Sequence, residues 1–192
     1  MTAPILVSLA LGDDAVLQRA TTLALALDAP LLVTHALGWR LLETEAQLTA
    51  RLEKTRQELD VMLEPARAAG LQTVEAVVER QRPGELVIET ASTKGAQMIV
   101  TGGGGGGDSV RRWLVGSVAE SIVRASTVPT LVVRGDVADD RRPVLCPVDF
   151  SPHARQGLVL AARMARATGR RLVVLTVVPP NEAWQSKKPI ES

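Results

Sequence analysis

Along its first 134 residues the chain switches repeatedly between two hydrophobic periods. Short apolar runs at "PILVSLA" (4–10), "PLLVTHA" (30–36), "LQTVEAVVE" (71–79), "AQMIV" (96–100) and "PTLVVR" (129–134) alternate with helix-like patterns at about 13–28, 43–69, 84–94 and 117–126. Runs that are apolar at consecutive positions belong to strands buried on both faces, and strands separated by helical crossovers pair in parallel. The expected class is α/β, an open parallel sheet with helices on both faces.

Within this frame, Leu48, Leu52, Leu59, Met62 and Ala66 form a one-sided apolar stripe, with Pro65 expected to kink or stop their helix. Pro83-Gly84 reads as a helix start. Five strand-containing units end near Arg134, and the polar stretch 135–142 reads as a linker. The opening layout then recurs once, as strand, helix and strand over 143–179, before an unpatterned tail, 180–192, expected to be poorly ordered.

Composition narrows the function classes. Of 192 residues, 46% are hydrophobic, enough for a sizeable core, and 22 basic residues against 21 acidic ones leave no electrostatic footprint for nucleic acid. With no tyrosine and one phenylalanine, a base-stacking platform has no material. The single cysteine, Cys146, excludes an internal disulfide; no apolar stretch approaches the roughly 20 residues of a membrane helix, and "MTAPILVSLALGDD" has no basic leader region. A soluble, cytoplasmic protein with no membrane association is expected.

The six glycines of "TGGGGGGDSVRRWLVGS" (101–117) follow the fourth apolar run, where an open α/β sheet presents ligand-binding strand ends. Glycine lets backbone N–H groups approach an anion, and Ser117-Val118-Ala119-Glu120 reads as a capping box opening a helix whose dipole favours phosphate. A flexible loop before an ordinary capped helix is the alternative. The run contains GxGxxG, but after the fourth strand instead of the first, and Asp108-Ser109 stand where a P-loop needs Lys-Ser/Thr. "GGGGDS" (104–109) partly matches the SGGxDS loop of ATP-dependent ligases, without its leading serine and away from the first strand.

The stretch "AQMIVTGGGGGGDSVRRWLVGSVAESIVRASTVPTLVV" resembles the universal stress protein (UspA) family, in which two glycines three apart precede a Gly-Ser pair and close a loop around nucleotide phosphates. Counting back from Gly116-Ser117 selects Gly103 and Gly106; counting forward from the strand selects Gly102 and Gly105. The resemblance implies a five-stranded sheet of order 3-2-1-4-5 that homodimerises along its last strand (129–134), the edge of the partial repeat being the other candidate contact. It also implies an ATP-type nucleotide, with Mg²⁺, held by Gly102, Gly103, Gly105, Gly106, Gly116, Ser117 and Val118, with Ala36 on the adenine side.

Two departures stand out. Ala10 occupies the position where nucleotide-binding members carry an acid, Asp13 and Asp14 falling later as helix caps, and glycines replace the usual side chains inside the loop. Arg111 and Arg112 can restore positive charge or form a solvated face. In the partial repeat the acid is present, as Asp149, with Val177 at the adenine-side position. Residues 143–178 therefore either complete a site with the glycine loop, in the same chain or across a dimer, or form a remnant with an open sheet edge.

The remaining chemistry-bearing residues read as structural. His35 is expected to be packed and hydrogen-bonded, His35 and His153 being too few for a metal cluster or a catalytic triad, and Cys146 reads as core. Asp149-Phe150-Ser151 can cap a helix opened by Pro152; Trp113 is expected to close over the sheet, and Trp39 and Trp184 to serve contacts. The expected function is a nucleotide-binding stress-response adaptor with neither catalytic residues nor a protein-held metal. A structural dimerisation module that binds no nucleotide is the first alternative, an ATP-splitting enzyme the second.

Overall fold

A computed structural model of the chain describes residues 2–103, 116–135 and 142–178. The element order is β1 (Ile5–Ser8), α1 (Asp14–Ala26), β2 (Leu31–Ala36), α2 (Glu45–Ala68), β3 (Val74–Glu79), α3 (Pro83–Thr93), β4 (Met98–Gly102), α4 (Ser117–Ala125), β5 (Thr130–Val133), β6 (Val144–Pro147), α5 (Pro152–Ala167) and β7 (Leu172–Leu175). The first five strands form one parallel sheet in the order β3-β2-β1-β4-β5, as the resemblance implied.

Burial explains why the inner strands read as unbroken apolar runs. Ile5, Leu6 and Val7 of β1 and Ile99 and Val100 of β4 are wholly buried, because helices cover both faces of the sheet. α1 packs against β1, β2, β4 and β5 and touches α2, while α3 packs against β1, β2 and α4. Leu6, Leu32 and Ile99 meet Val87 and Ala91 of α3 and Ile122 of α4 in one cluster. On α2 the buried stripe is Leu48, Thr55, Leu59, Leu63 and Ala66, with Leu52 and Met62 only half-buried.

Several boundaries differ from expectation, each for a backbone reason. Pro65 does not stop α2: the helix runs on to Ala68 and reverses at Gly70, whose φ of +103° only glycine adopts freely. The strand expected at 96–100 runs from Met98 to Gly102, since Gly95 turns the chain and Ala96-Gln97 lead it in. The first glycine of the run is therefore a sheet residue. β1 ends at Ser8, and the Asp13 N–H closes a turn on the Ala10 carbonyl at 3.1 Å.

The chain divides into two compact units, Met1–Asp139 and Asp140–Ser192. In the second, β6 and β7 pair in parallel beneath α5, and Cys146 is buried, its thiol donating to the Pro147 carbonyl at 3.9 Å.

Truncating Ile99 to alanine should empty the centre of the first unit and lower its unfolding free energy by about 2–5 kcal/mol, read as a lower midpoint in urea. An unchanged midpoint would mean that this cluster is not the core of the unit.

Candidate functional site

Strand order reverses at β1: β2 and β3 lie on one side, β4 and β5 on the other. At such a switch point the crossover helices diverge and leave a crevice beyond the strand ends. A cavity of about 240 Å³ opens there, lined by the ends of β1 (Ser8 to Ala10), β2 (Thr34 to Ala36) and β4 (Thr101, Gly102). Pro83, Leu86 and Val87 of α3 and Val118 of α4 supply an apolar wall, and Asp13 reaches in from the α1 end.

The polar groups at the strand ends are held by the sheet. The Thr34 hydroxyl donates to the Val7 carbonyl at 2.9 Å, and His35 Nδ1 lies 2.8 Å from the Leu9 carbonyl oxygen. His35 is packed and hydrogen-bonded as expected, but it also lines the cavity, a placement its neighbours in sequence do not signal. Asp13 caps α1 through Oδ1, which accepts from the Val16 N–H at 3.4 Å. Its other oxygen crowds Gly102 so closely that a Cβ on that glycine would stand 2.7 Å from Oδ2. Asp13 is thus both cap and cavity wall, and among the described residues it is the one carboxylate lining the cavity.

Gly103 joins the sheet to the loop. Its N–H donates to the Val133 carbonyl and its own carbonyl accepts from the Gly116 N–H, both at 2.8 Å. A Cβ there would meet Arg134 Cγ at 2.7 Å. The two ends of the glycine loop are therefore tied together at its neck.

This arrangement corrects the roles read from the sequence. The N–H groups of Gly103 and Gly116, expected to face a phosphate, are engaged within the protein. No capping box forms at 117–120: Gly116 is the N-cap and has no side chain to offer, Ser117 is the exposed first helical residue, and Glu120 pairs instead with Arg124 at 2.9 Å. The Glu120 N–H bonds the Gly116 carbonyl at 2.9 Å, so the N–H groups of Ser117, Val118 and Ala119 have no partner within the helix. They and the positive end of α4 are the anion-attracting feature, and Val118 puts them at the cavity.

The other site calls divide by location. Ala36 lines the cavity from the end of β2. Gly105 and Gly106, with Arg111, Arg112, Trp113 and Trp184, lie outside the described residues. In the second unit, Asp149 Oδ1 accepts the Ser151 N–H at 3.0 Å and Ser151 caps α5 through the Ala154 N–H at 3.1 Å. Hydrogen bonding from the Ser151 side chain, then from its N–H, holds the Asp149 carboxyl below the usual range. Val177 lies beyond β7 and is 84% exposed. Among the described residues there is no grouping of three metal-ligating side chains, and no helix is long and apolar enough to cross a membrane.

Comparison with known proteins agrees with the fold. The model of the Universal stress protein family matches residues 5–134 and again 140–191. A universal stress protein structure from Archaeoglobus fulgidus DSM 4304 aligns over 95% of this chain and 70% of its own, with 19% identity and a TM-score of 0.77. Another from Archaeoglobus fulgidus, in complex with dAMP, aligns over 69% of this chain and 98% of its own at 20% identity and a TM-score of 0.54. UspA from Lactobacillus plantarum aligns over 70% and 99% at 16% identity and 0.57. No curated protein matches the chain.

The Asp13 contact gives a stability test. Asp13→Ala should cost about 1 kcal/mol through the lost cap. Gly102→Ala, which forces the carboxylate aside, should cost a similar amount. A double-mutant cycle should show the pair costing less than the sum by about 0.5 kcal/mol or more; strict additivity would mean that Asp13 and Gly102 are not coupled.

Proposed function

The chain belongs to the universal stress protein family, and from that membership and the strand-end cavity we propose that it binds an adenine nucleotide and acts as a nucleotide-responsive adaptor. The observation that carries this reading is the uncapped start of α4 at the switch-point cavity. Its first-turn N–H groups, which have no partner within the helix, attract phosphoryl oxygens, while Pro83, Leu86 and Val87 offer a flat base an apolar surface.

The fit favours a divided ligand. At about 240 Å³ the cavity is smaller than the roughly 300–1,000 Å³ of sites that enclose a drug-sized molecule. It can enclose the nucleoside and leave the phosphates in its mouth. The acceptors facing a nucleoside would be the Asp13 carboxylate and the strand-end carbonyls. Bound Mg²⁺ would supply charge neutralisation between the phosphates and Asp13. The dAMP held by the Archaeoglobus protein makes an adenine nucleotide the first ligand to test. We assign the chain no dedicated catalysis: among the described residues the titratable side chains lining the cavity are Asp13 and His35, and His35 is tied through Nδ1 to a carbonyl.

One observation favours a second reading, a dimerisation module without a ligand. Ala10 leaves the end of β1 with no carboxylate, and β5 is an outer strand of its sheet.

Thermal unfolding separates the two. ATP with Mg²⁺ at 100 times its dissociation constant should stabilise the protein by about 2.7 kcal/mol, whereas the module would show no shift. Val118→Asp sharpens the test: a carboxylate in the first turn suits the α4 dipole and should not lower the ligand-free midpoint, yet weaken ATP binding about tenfold or more and adenosine binding much less. Equal affinity of the variant for ATP would remove the α4 terminus from the site.

A further inference from the structure

The loop joining β2 to α2 is built to hold apolar side chains in water. Leu41 and Leu42 are 94% and 90% exposed and Trp39 is 69% exposed, three large apolar groups within four residues. Surface leucines are ordinary when scattered; clustered, they mark a contact surface. Leu42 also takes a φ of +59°, a left-handed conformation that a side-chain-bearing residue enters only where its surroundings impose it.

Those surroundings are visible on both sides of the leucines. Arg51 of α2 donates to the Gly38 carbonyl and to Glu43 Oε2, each at 2.9 Å, and the Glu43 carboxylate is buried between Arg51 and Arg80, the latter at 3.9 Å. The Arg80 guanidinium also lies over the Trp39 ring, 4.4 Å from its centre. Thr44 and Gln47 complete a reciprocal capping box that fixes the start of α2. Residues 38, 39, 43 and 44 are pinned, and Arg40, Leu41 and Leu42 are pushed outward between them.

Behind the leucines lies a cleft of about 580 Å³, whose floor is the opening turns of α2. Its charged walls are Arg40, Arg51 and Lys54 against the single acid Glu43, whose charge Arg51 and Arg80 already share. Lys54 meets only an exposed Glu58 at 3.7 Å, a weak pairing. Arg51 Nε is buried and has no hydrogen-bond partner among the described residues. The positive end of the α2 dipole adds to the same field.

We propose that the 38–44 loop and the first turns of α2 form a docking cleft for an acidic, amphipathic segment of a partner protein. Its apolar side chains cover Leu41, Leu42 and Trp39, and its carboxylates face Arg40 and Lys54. Concavity favours a polypeptide over a bilayer: side chains can fill a cleft, whereas a lipid surface meets only protruding residues. The cleft is independent of the nucleotide reading, since none of its lining residues belongs to the strand-end cavity.

The test uses the full chain and a short fluorescent peptide of alternating leucine and glutamate pairs, followed by anisotropy, with its lysine counterpart as control. The acidic peptide should bind saturably in the micromolar range, weaken as salt is raised, and lose about tenfold in affinity to Leu41→Ser/Leu42→Ser and to Arg40→Glu. All three substitutions are at solvent-facing positions, and thermal midpoints close to that of the parent would verify folding. Absence of binding, equal binding of the lysine peptide, or indifference to these variants would overturn the proposal. So would sedimentation of the chain with anionic phosphatidylserine vesicles that the leucine variant abolishes, which assigns the patch to membranes, or a self-association that it abolishes, which assigns the patch to a second copy.

Discussion

Leu6 and Ile99 pair across β1 and β4 and are wholly buried. This contact closes the centre of the sheet and also sets where its ends open. β1 lies between β2 and β4, which pair with its two edges, and the chain then leaves β1 and β4 in opposite directions across the sheet. The crevice at their carboxyl ends follows from that topology. Every feature of the strand-end site is suspended from these strands: the turn at Ala10, the His35 contact with the Leu9 carbonyl and the Gly102–Gly103 exit.

Glycine has two distinct uses in the run. Gly102 and Gly103 sit at close approaches, the first against the Asp13 carboxylate and the second against Arg134 and Val132. Gly116 serves as a helix cap whose N–H is tied to the Gly103 carbonyl and which brings no capping side chain. The loop is thereby gathered at its neck, and the amides left without helical partners are those of α4. The sequence directs attention to the amides of the glycines themselves, whereas the hydrogen bonds engage those of Gly103 and Gly116 within the protein.

The same chain treats its polar surface in two ways. At the strand ends, the described lining residues carry little charge and an apolar wall dominates. At the β2–α2 loop, a buried carboxylate between two arginines and a cation over an indole hold leucines outward. Buried ion clusters contribute little net stability compared with apolar packing of similar volume, so their use at a loop is better explained by the geometry they impose. The protein thus presents a recess for a solute and a separate charged cleft, both anchored on β2.

By itself the sequence determined the periodicity, and with it the α/β class, the strand and helix order and the apolar identity of β1, β2 and β4, because burial on both faces leaves a mark on every consecutive residue. It also marked the glycine run and the missing acid at Ala10, since these are matters of residue type. Only the tertiary structure decided that Gly102 belongs to the sheet, that the Asp13 carboxylate packs against it, that His35 lines the cavity, and that Gly103 and Gly116 spend their N–H groups on the protein. Each of these depends on which atoms meet from elements far apart in the chain, and spacing along one segment carries no record of that.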